Sequence, residues 1–268
     1  MLMAVNVGNS RISVGVFQND ACELLFRFQI STDVNKTSDE YAGILRMIAR
    51  ERGYDPMDTE GCILSCVVPQ LTHTVSEALC QLTSMTPMVV GPGVKTGFSL
   101  KIDSPSELGG DMVANAAAVL QNQKEKGSAR GGSVIVDMGT VTTISVLNRA
   151  GEYIGCSILP GIRMSFDSMH GATAQLPNVA FSAPKKLIGR NTQESVRSGV
   201  IFGNAIMLDG FVRQIARELR CQAEDLNLTM TGEYAPTVLE VCRSRFEYDE
   251  NLTLKGLFYI CRNNTTHE

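Results

Sequence analysis

The first thirty residues fall into three short runs in which apolar positions alternate with polar ones. Residues 2–8, 11–17 and 22–30 carry β-branched and aromatic side chains at a two-residue period, which predicts three strands in a meander. The period then changes. Thr37-Ser-Asp-Glu40 has the spacing of a capping box, and Tyr41, Ile44, Leu45 and Ile48 follow at the helical repeat until Arg50, Arg52 and Gly53 close the segment. CILSCVV at 62–68 is an unbroken apolar run of strand length. Pro69 suits the first turn of a helix, whose stripe is Leu71, Val75, Leu79 and Leu82. A short strand at 87–90 and an alanine-rich helix at 107–121, lined by Val113, Ala117 and Leu120, complete a βββαβαβα order.

The pattern then begins again. Polar, glycine-bearing NQKEKGSARGG at 122–132 reads as a boundary. Strands are predicted at 133–138, 141–148 and 152–159, and a helical stretch at 161–175. A long helix at 192–220 carries Val196, Val200, Ile206, Phe211 and Ile215, and a short strand at 227–231 ends in Thr231-Gly232. LTLKGLFYICRN at 252–263 closes the chain as a helix with Leu252, Leu257 and Ile260 inward. Two halves of this kind predict an α/β protein with the duplicated ribonuclease-H-like architecture of the actin-like ATPases, divided as domains 1–125 and 126–268.

The duplication is visible at finer grain. VIVDMGTVTTISVL (134–147) and AVNVGNSRISVGVF (4–17) each set a glycine between alternating apolar runs. Aligning Gly8 with Gly139 puts Asn6 on Asp137 and Asn9 on Thr140. Glycine lets a hairpin turn tightly and approach a ligand. Asp137 at a strand's end suits a cation, and Thr140, Thr142 and Thr143 offer hydroxyls to phosphate oxygens. Each motif alone is equally an ordinary hairpin; the pair points to a nucleotide held between the two halves.

Composition narrows the classes. A chain of 268 residues with 44% hydrophobic and 19% charged positions can bury ample core. A net charge of −4 argues against a dedicated nucleic-acid binder. No apolar run reaches the roughly 18–20 residues of a membrane span. Asn6, Asn9 and Arg11 interrupt anything like a signal peptide, so a cytoplasmic protein is expected. The eight cysteines include no CxxC pair, and Cys62 and Cys66 share one face of a strand as core residues, which sets disulfides and structural zinc aside. His73, His170 and His267 are too dispersed to form a ligand set.

In its ordered motifs the whole chain resembles a type III pantothenate kinase. NVGNS (6–10) stands where that family opens with Asp-x-Gly-Asn-Thr, and GPGVKTG is intact at 91–97. GGDM (109–112) matches a Gly-x-Asp-Arg site, and DMGTVTT (137–143) the second phosphate hairpin. ILPGI (158–162), Leu176-Pro177, GRNTQESVRSG (189–199), Thr231-Gly232 and LTLKGL (252–257) follow in order. GPGVKTG is not a Walker loop: three residues, not four, separate Gly91 from Lys95, and no glycine precedes the lysine.

The resemblance implies ATP-dependent phosphorylation of pantothenate to 4'-phosphopantothenate, the first step of coenzyme A biosynthesis. It implies ATP, Mg2+ and a monovalent cation (K+ or NH4+) as cofactors, a homodimer, and an active site in the cleft between the two halves. Carried over by position, Asp111 is the general base. Asn6, Val7, Gly8, Asn9, Ser10, Arg11, Ile12, Ser13, Gly139 and Thr140 bind ATP. Gly109, Gly110, Asp111, Met112 and Thr192 bind the acceptor, and Asp137 binds the monovalent cation. Asp111 and Thr192 can also be read as helix N-caps, and Asp137 as a strand-end carboxylate satisfied by turn amides.

Three positions depart from the family pattern. Asn6 replaces an aspartate associated with magnesium and phosphate, offering one neutral oxygen in place of a carboxylate. Met112 replaces an arginine beside the base, and Ile102 a tyrosine. All three fall on the expected site, so two alternatives stand beside the kinase: a regulatory or binding protein of the same fold with little activity, and a kinase of altered acceptor.

Overall fold

The structure is a computed structural model that describes residues 1–19, 21–126 and 131–265. Part of the expected boundary at 122–132, and His267, lie outside the described residues. In chain order the elements are β1 (Leu2–Val7), β2 (Arg11–Phe17), β3 (Leu24–Ser31), α1 (Ser38–Glu51), β4 (Gly61–Cys66), α2 (Pro69–Thr83), β5 (Met88–Val89) and α3 (Gly110–Lys126). There follow β6 (Gly132–Met138), β7 (Val141–Leu147), β8 (Tyr153–Pro160), α4 (Ile162–Ala172), α5 (Thr192–Glu218), β9 (Leu226–Thr231), α6 (Ala235–Leu239), β10 (Glu247–Tyr248) and α7 (Leu252–Thr265).

These elements form two compact units. The first comprises residues 1–99, 103–122 and the chain from Asn251 onward; the second comprises 100–102 and 123–250. The first sheet has the order β3-β2-β1-β4-β5 and the second, from its other edge, β8-β7-β6-β9-β10. In both, the first three strands are an antiparallel meander and the last two run parallel to the first. Even an irregularity repeats: the register shifts near the end of the second strand, at Val16/Phe17 and again at Val146/Leu147. The duplication read from two hairpins therefore extends through ten strands.

In the first unit, one face of the sheet takes Met3, Val5, Val7 and Leu64 against Tyr41 and Leu45 of α1 and Leu71, Val75 and Leu79 of α2, all buried. The capping box holds α1 at its start: Thr37 Oγ1 accepts from Glu40 N at 3.3 Å, and Glu40 Oε2 accepts from Thr37 N at 2.8 Å. The other face takes Leu2, Ala4 and Ile63 against Val113, Ala114 and Ala117 of α3 and Leu254, Leu257 and Phe258 of α7. The closing helix thus returns to the first sheet although it follows the second in sequence.

α3 and α7 meet at backbone distance. A Cβ on Gly256 would collide with the Ala114 carbonyl, so only glycine fits there. Beside this contact Thr253 Oγ1 donates to Asn115 Oδ1 at 2.8 Å. In the second unit, Val134, Val136, Met138 and Ile144 pack under Ile162 and Phe166 of α4, Ile201, Leu208 and Val212 of α5 and Val238 of α6. Residues 100–102 join this unit at Tyr153, whose carbonyl accepts from Lys101 N at 2.7 Å.

Candidate active site

The site of the first unit is built at the carboxyl ends of its parallel strands, where open α/β sheets place their ligands. Asn6 is next to last in β1. In the register, Asn6 lies opposite Ser13 of β2 and opposite Ser65 of β4, so these three polar side chains form one row across the sheet. The row continues the face occupied by Leu2, Ala4 and Ile63, on which α3 packs. Gln29 Nε2 donates to Ser13 Oγ at 2.9 Å. Asn6 Oδ1 and Ser65 Oγ are buried and have no hydrogen-bond partner among the described residues.

β1 leaves the row through a tight turn. Gly8 N donates to Arg11 O at 2.9 Å, and the Gly8 carbonyl accepts from Thr32 Oγ1 at 2.7 Å. Asn9, Ser10 and Arg11 are exposed at its tip, and Val7 and Ile12 are buried beneath it. A backbone tied down from below, with polar tips outward, suits contact with a phosphate chain.

α3 starts beside the row. Val113 N donates to the Gly109 carbonyl at 3.1 Å, so the helix is entered through Gly109 and Gly110. A Cβ on Gly110 would stand 2.8 Å from Ser65 Oγ, and one on Gly109 would stand 2.6 Å from Asp111 Oδ1. A Cβ at either position would displace a polar side chain, Asp111 at one and Ser65 at the other. Asp111 lies inside the first turn and is not the N-cap. Its Oδ1 accepts from Met112 N at 2.8 Å. Burial pushes its carboxyl above the ordinary aspartate value, against the opposing pull of the Met112 amide and its own. A desolvated carboxylate at a glycine entrance is well placed to receive a proton from an alcohol. Its surroundings on the Gly109 side are apolar: Met112 Cε and Val67 Cγ1 would lie 3.4 and 3.6 Å from a Cβ on that residue.

The second unit repeats the row with different residues. Asp137 lies opposite Thr143 of β7 and opposite Thr231 of β9. Its hairpin closes with Gly139 N donating to Val141 O at 3.1 Å. The Gly139–Thr140 turn rests on Gly161, where any Cβ would collide with the Thr140 carbonyl, and Gly161 in turn opens α4. Thr192 begins α5, but the cap is Asn191, whose side chain accepts from Glu194 N at 2.9 Å. The Thr192 hydroxyl is exposed and not consumed by capping. Ile102 sits in the segment 100–102, which belongs to the second unit and is held at Tyr153.

The structure thus brings Asn6, Ser13, Gly109, Gly110, Asp111 and Met112 together at one edge, and Asp137, Gly139 and Thr140 at the corresponding edge of the second sheet. Sequence reasoning missed Ser65, Thr143 as a neighbour of Asp137, and Thr231 as its other neighbour. Strand pairing is the signal that finds them, since residues 59 positions apart in number share a row only once the register is known.

A model of the family described as type III pantothenate kinase matches residues 2–214. The chain belongs to this family. A protein named type III pantothenate kinase from Anaeromyxobacter sp. (strain K) is 37% identical over 257 residues, covering 96% of this chain and 97% of that protein. Among solved structures, one assigned to a Baf family transcriptional activator from Campylobacter jejuni superposes with a TM-score of 0.58 at 16% identity, over 98% of this chain and 99% of that one. The ROK hexokinase from Thermus thermophilus superposes with a TM-score of 0.51 at 13% identity, over 98% and 99%. At these identities the structures speak to the fold alone, which is the duplicated architecture expected from the chain's two halves.

In this type III pantothenate kinase family member the two rows offer different oxygen sets. Among the described residues no cluster of three histidine, cysteine or acidic side chains could cage a metal. The first row offers a neutral amide oxygen and a hydroxyl near one carboxylate, which suits a magnesium ion that keeps most of its water and phosphate ligands. The second offers a carboxylate between two threonines, an oxygen set compatible with a monovalent cation.

Asp111→Asn tests the role of the half-buried carboxyl. Folding that raises an acid's pKa is penalised at pH values above the raised pKa, where the carboxylate is charged, and the penalty fades as pH falls through it. The asparagine retains an oxygen for the Met112 amide and carries no charge. Thermal denaturation at pH 7 is expected to give a Tm no lower than wild type, while phosphoryl transfer falls by about 10²- to 10⁴-fold. A variant that loses stability and keeps its turnover would assign Asp111 to structure.

Proposed function

We propose that this protein transfers the γ-phosphoryl group of ATP to the primary hydroxyl of pantothenate, giving 4'-phosphopantothenate and ADP, with Asp111 as general base. The observation that carries this reading is the desolvated Asp111 carboxyl at the Gly109-Gly110 entrance of α3, in a chain of the type III pantothenate kinase family. The acceptor oxygen forms a bond to the γ-phosphorus as the bond to the ADP oxygen breaks, and the hydroxyl proton passes to an Asp111 carboxylate oxygen. The tied-down Gly8 turn and the Gly139–Thr140 turn each present backbone and hydroxyl groups to phosphate. Thr192, exposed at the start of α5, contacts the acceptor.

Magnesium, when bound, neutralises charge on the transferring phosphates. Asn6 stands where a hydrated ion of that kind can be held. Asp137 with Thr143 and Thr231 holds the monovalent cation, K+ or NH4+. The cytoplasm, with its ATP pool, is the place for this reaction, and no helix among the described residues is long and apolar enough to cross a membrane. A homodimer is supported by the second unit's uncovered apolar surface. Ile154 and Ile158 on edge strand β8 and Ile206 on α5 are exposed, beside a hollow of about 550 Å³ bounded by Met207, Phe211 and Ile215.

A second reading, altered acceptor choice, draws on the apolar wall that Met112 and Val67 make beside Gly109. The experiment addresses both. Purified protein is incubated with ATP, Mg2+ and either pantothenate or its uncharged alcohol analogue, and ADP release is followed with and without K+. ADP release with pantothenate, lost in Asp137→Ala or without K+, is the expected result. Release only with the uncharged analogue would move the acceptor, and release with neither would leave the kinase reading without support. Asn6→Asp combined with Met112→Arg is expected to raise turnover with pantothenate. Light scattering should give twice the chain mass of 29.1 kDa, and a single chain mass would contradict the dimer.

A further inference from the structure

We infer that Ser65 is a further ligand-positioning residue, which with Asn6 seats the water shell of the divalent cation next to Asp111. The inference rests on the kinase reading above. Three independent features of the first unit converge on it. Ser65 is fully buried, its Oγ has no hydrogen-bond partner among the described residues, and it stands 2.8 Å from where a Cβ on Gly110 would lie. Ser65 is also the direct register neighbour of Asn6, whose Oδ1 is likewise buried without a partner. The helix that starts above them has 17 residues and carries Asp111 in its first turn.

Buried polar oxygens without partners cost stability, so folded chains retain them where a ligand or ordered water completes them. The chemistry of the missing partner follows from the donor inventory. An amide Oδ1 only accepts, and an ionised phosphate oxygen only accepts, so the two repel. A serine hydroxyl can accept as well as donate. Two neighbouring acceptors on one face of a sheet call for a donor that reaches both, and a water bound to a small hard cation is such a donor. Magnesium in particular keeps several waters. Such outer-sphere partners orient an ion without bonding to it directly.

The internal duplication supports the same assignment. Ser65 occupies in the first sheet the place that Thr231 occupies in the second, each being the register partner of the strand-end residue, Asn6 or Asp137. Both sheets therefore present a hydroxyl on the same side of the residue at the cation position. Where the second sheet has a carboxylate, the first has an amide. The hydroxyl then takes a larger share of the contact.

The test is Mn2+ binding, read by electron paramagnetic resonance in the presence of a non-hydrolysable ATP analogue, on wild type and Ser65→Ala, with Tm measured without ligand. Alanine removes only the hydroxyl. The expected result is about 10- to 100-fold weaker retention of Mn2+ in the ternary complex, with an unliganded Tm equal to or above wild type. Adding Asn6→Asp to Ser65→Ala should restore Mn2+ retention, because a carboxylate binds the ion directly. Equal Mn2+ retention in Ser65→Ala would overturn the inference alone, as would an unliganded Tm that falls while Mn2+ binding persists. Failure of wild type to bind the Mn2+ complex of the analogue would overturn the kinase reading and this inference with it.

Discussion

The carbonyl oxygen of Ala114 and the α-carbon of Gly256 approach so closely that no side chain fits between them. Much of the first unit follows from that contact. It lays α7 against α3 backbone to backbone, where the alanines at 114 and 117 leave room, and Leu254, Leu257 and Phe258 then reach the sheet. With the Thr253–Asn115 bond beside it, the contact sets how far α3 can slide or rotate on the strands. The consequence for chemistry is positional. Asp111 is one turn from Ala114 on the same helix, so its carboxyl is held at the strand ends by packing that occurs well inside the unit.

The second organising fact is repetition with divergence. One strand order, one pattern of parallel and antiparallel pairing, and one bulge position appear twice. At the carboxyl edge of each sheet the same row is built, as Ser13–Asn6–Ser65 and as Thr143–Asp137–Thr231. A carboxylate holds a cation by charge, whereas an amide contributes one neutral oxygen. The two rows are thus one geometry with two electrostatic characters. The amide shares its row with Ser65, which lies against Gly110 at the entrance to the helix that carries Asp111.

Much of this was legible in the chain itself. Alternation in the two hairpins, the capping box at Thr37 and the stripe Leu71–Leu82 follow from side-chain period and hydrogen-bonding chemistry, which are local. The ten-strand duplication could be seen in outline because each half restarts with the same meander. The short α6 and β10 carry too few residues for any period to show. α3 begins at Gly110, three residues after the expected 107, because a separate short turn at 105–107 precedes it and the contact of Gly110 with Ser65 is a tertiary fact. Ser65 was invisible for the same reason: in CILSCVV it reads as one polar residue in a buried strand, and only pairing with Asn6 and contact with Gly110 give it meaning. Of the two cap readings, Thr192 yields the cap to Asn191, and Asp111 lies within the first turn with its carboxylate accepting from Met112 N.

The chemistry rests on a half-buried, partly desolvated carboxyl at the head of α3. The most direct measurement is a pH titration of the Asp111 carboxyl carbon by 13C nuclear magnetic resonance, assigned by comparison with Asp111→Asn. The account predicts a midpoint above 3.8, the ordinary aspartate value, because burial outweighs the amide hydrogen bonds. A midpoint at or below 3.8 would show a solvated carboxylate and contradict the site described here.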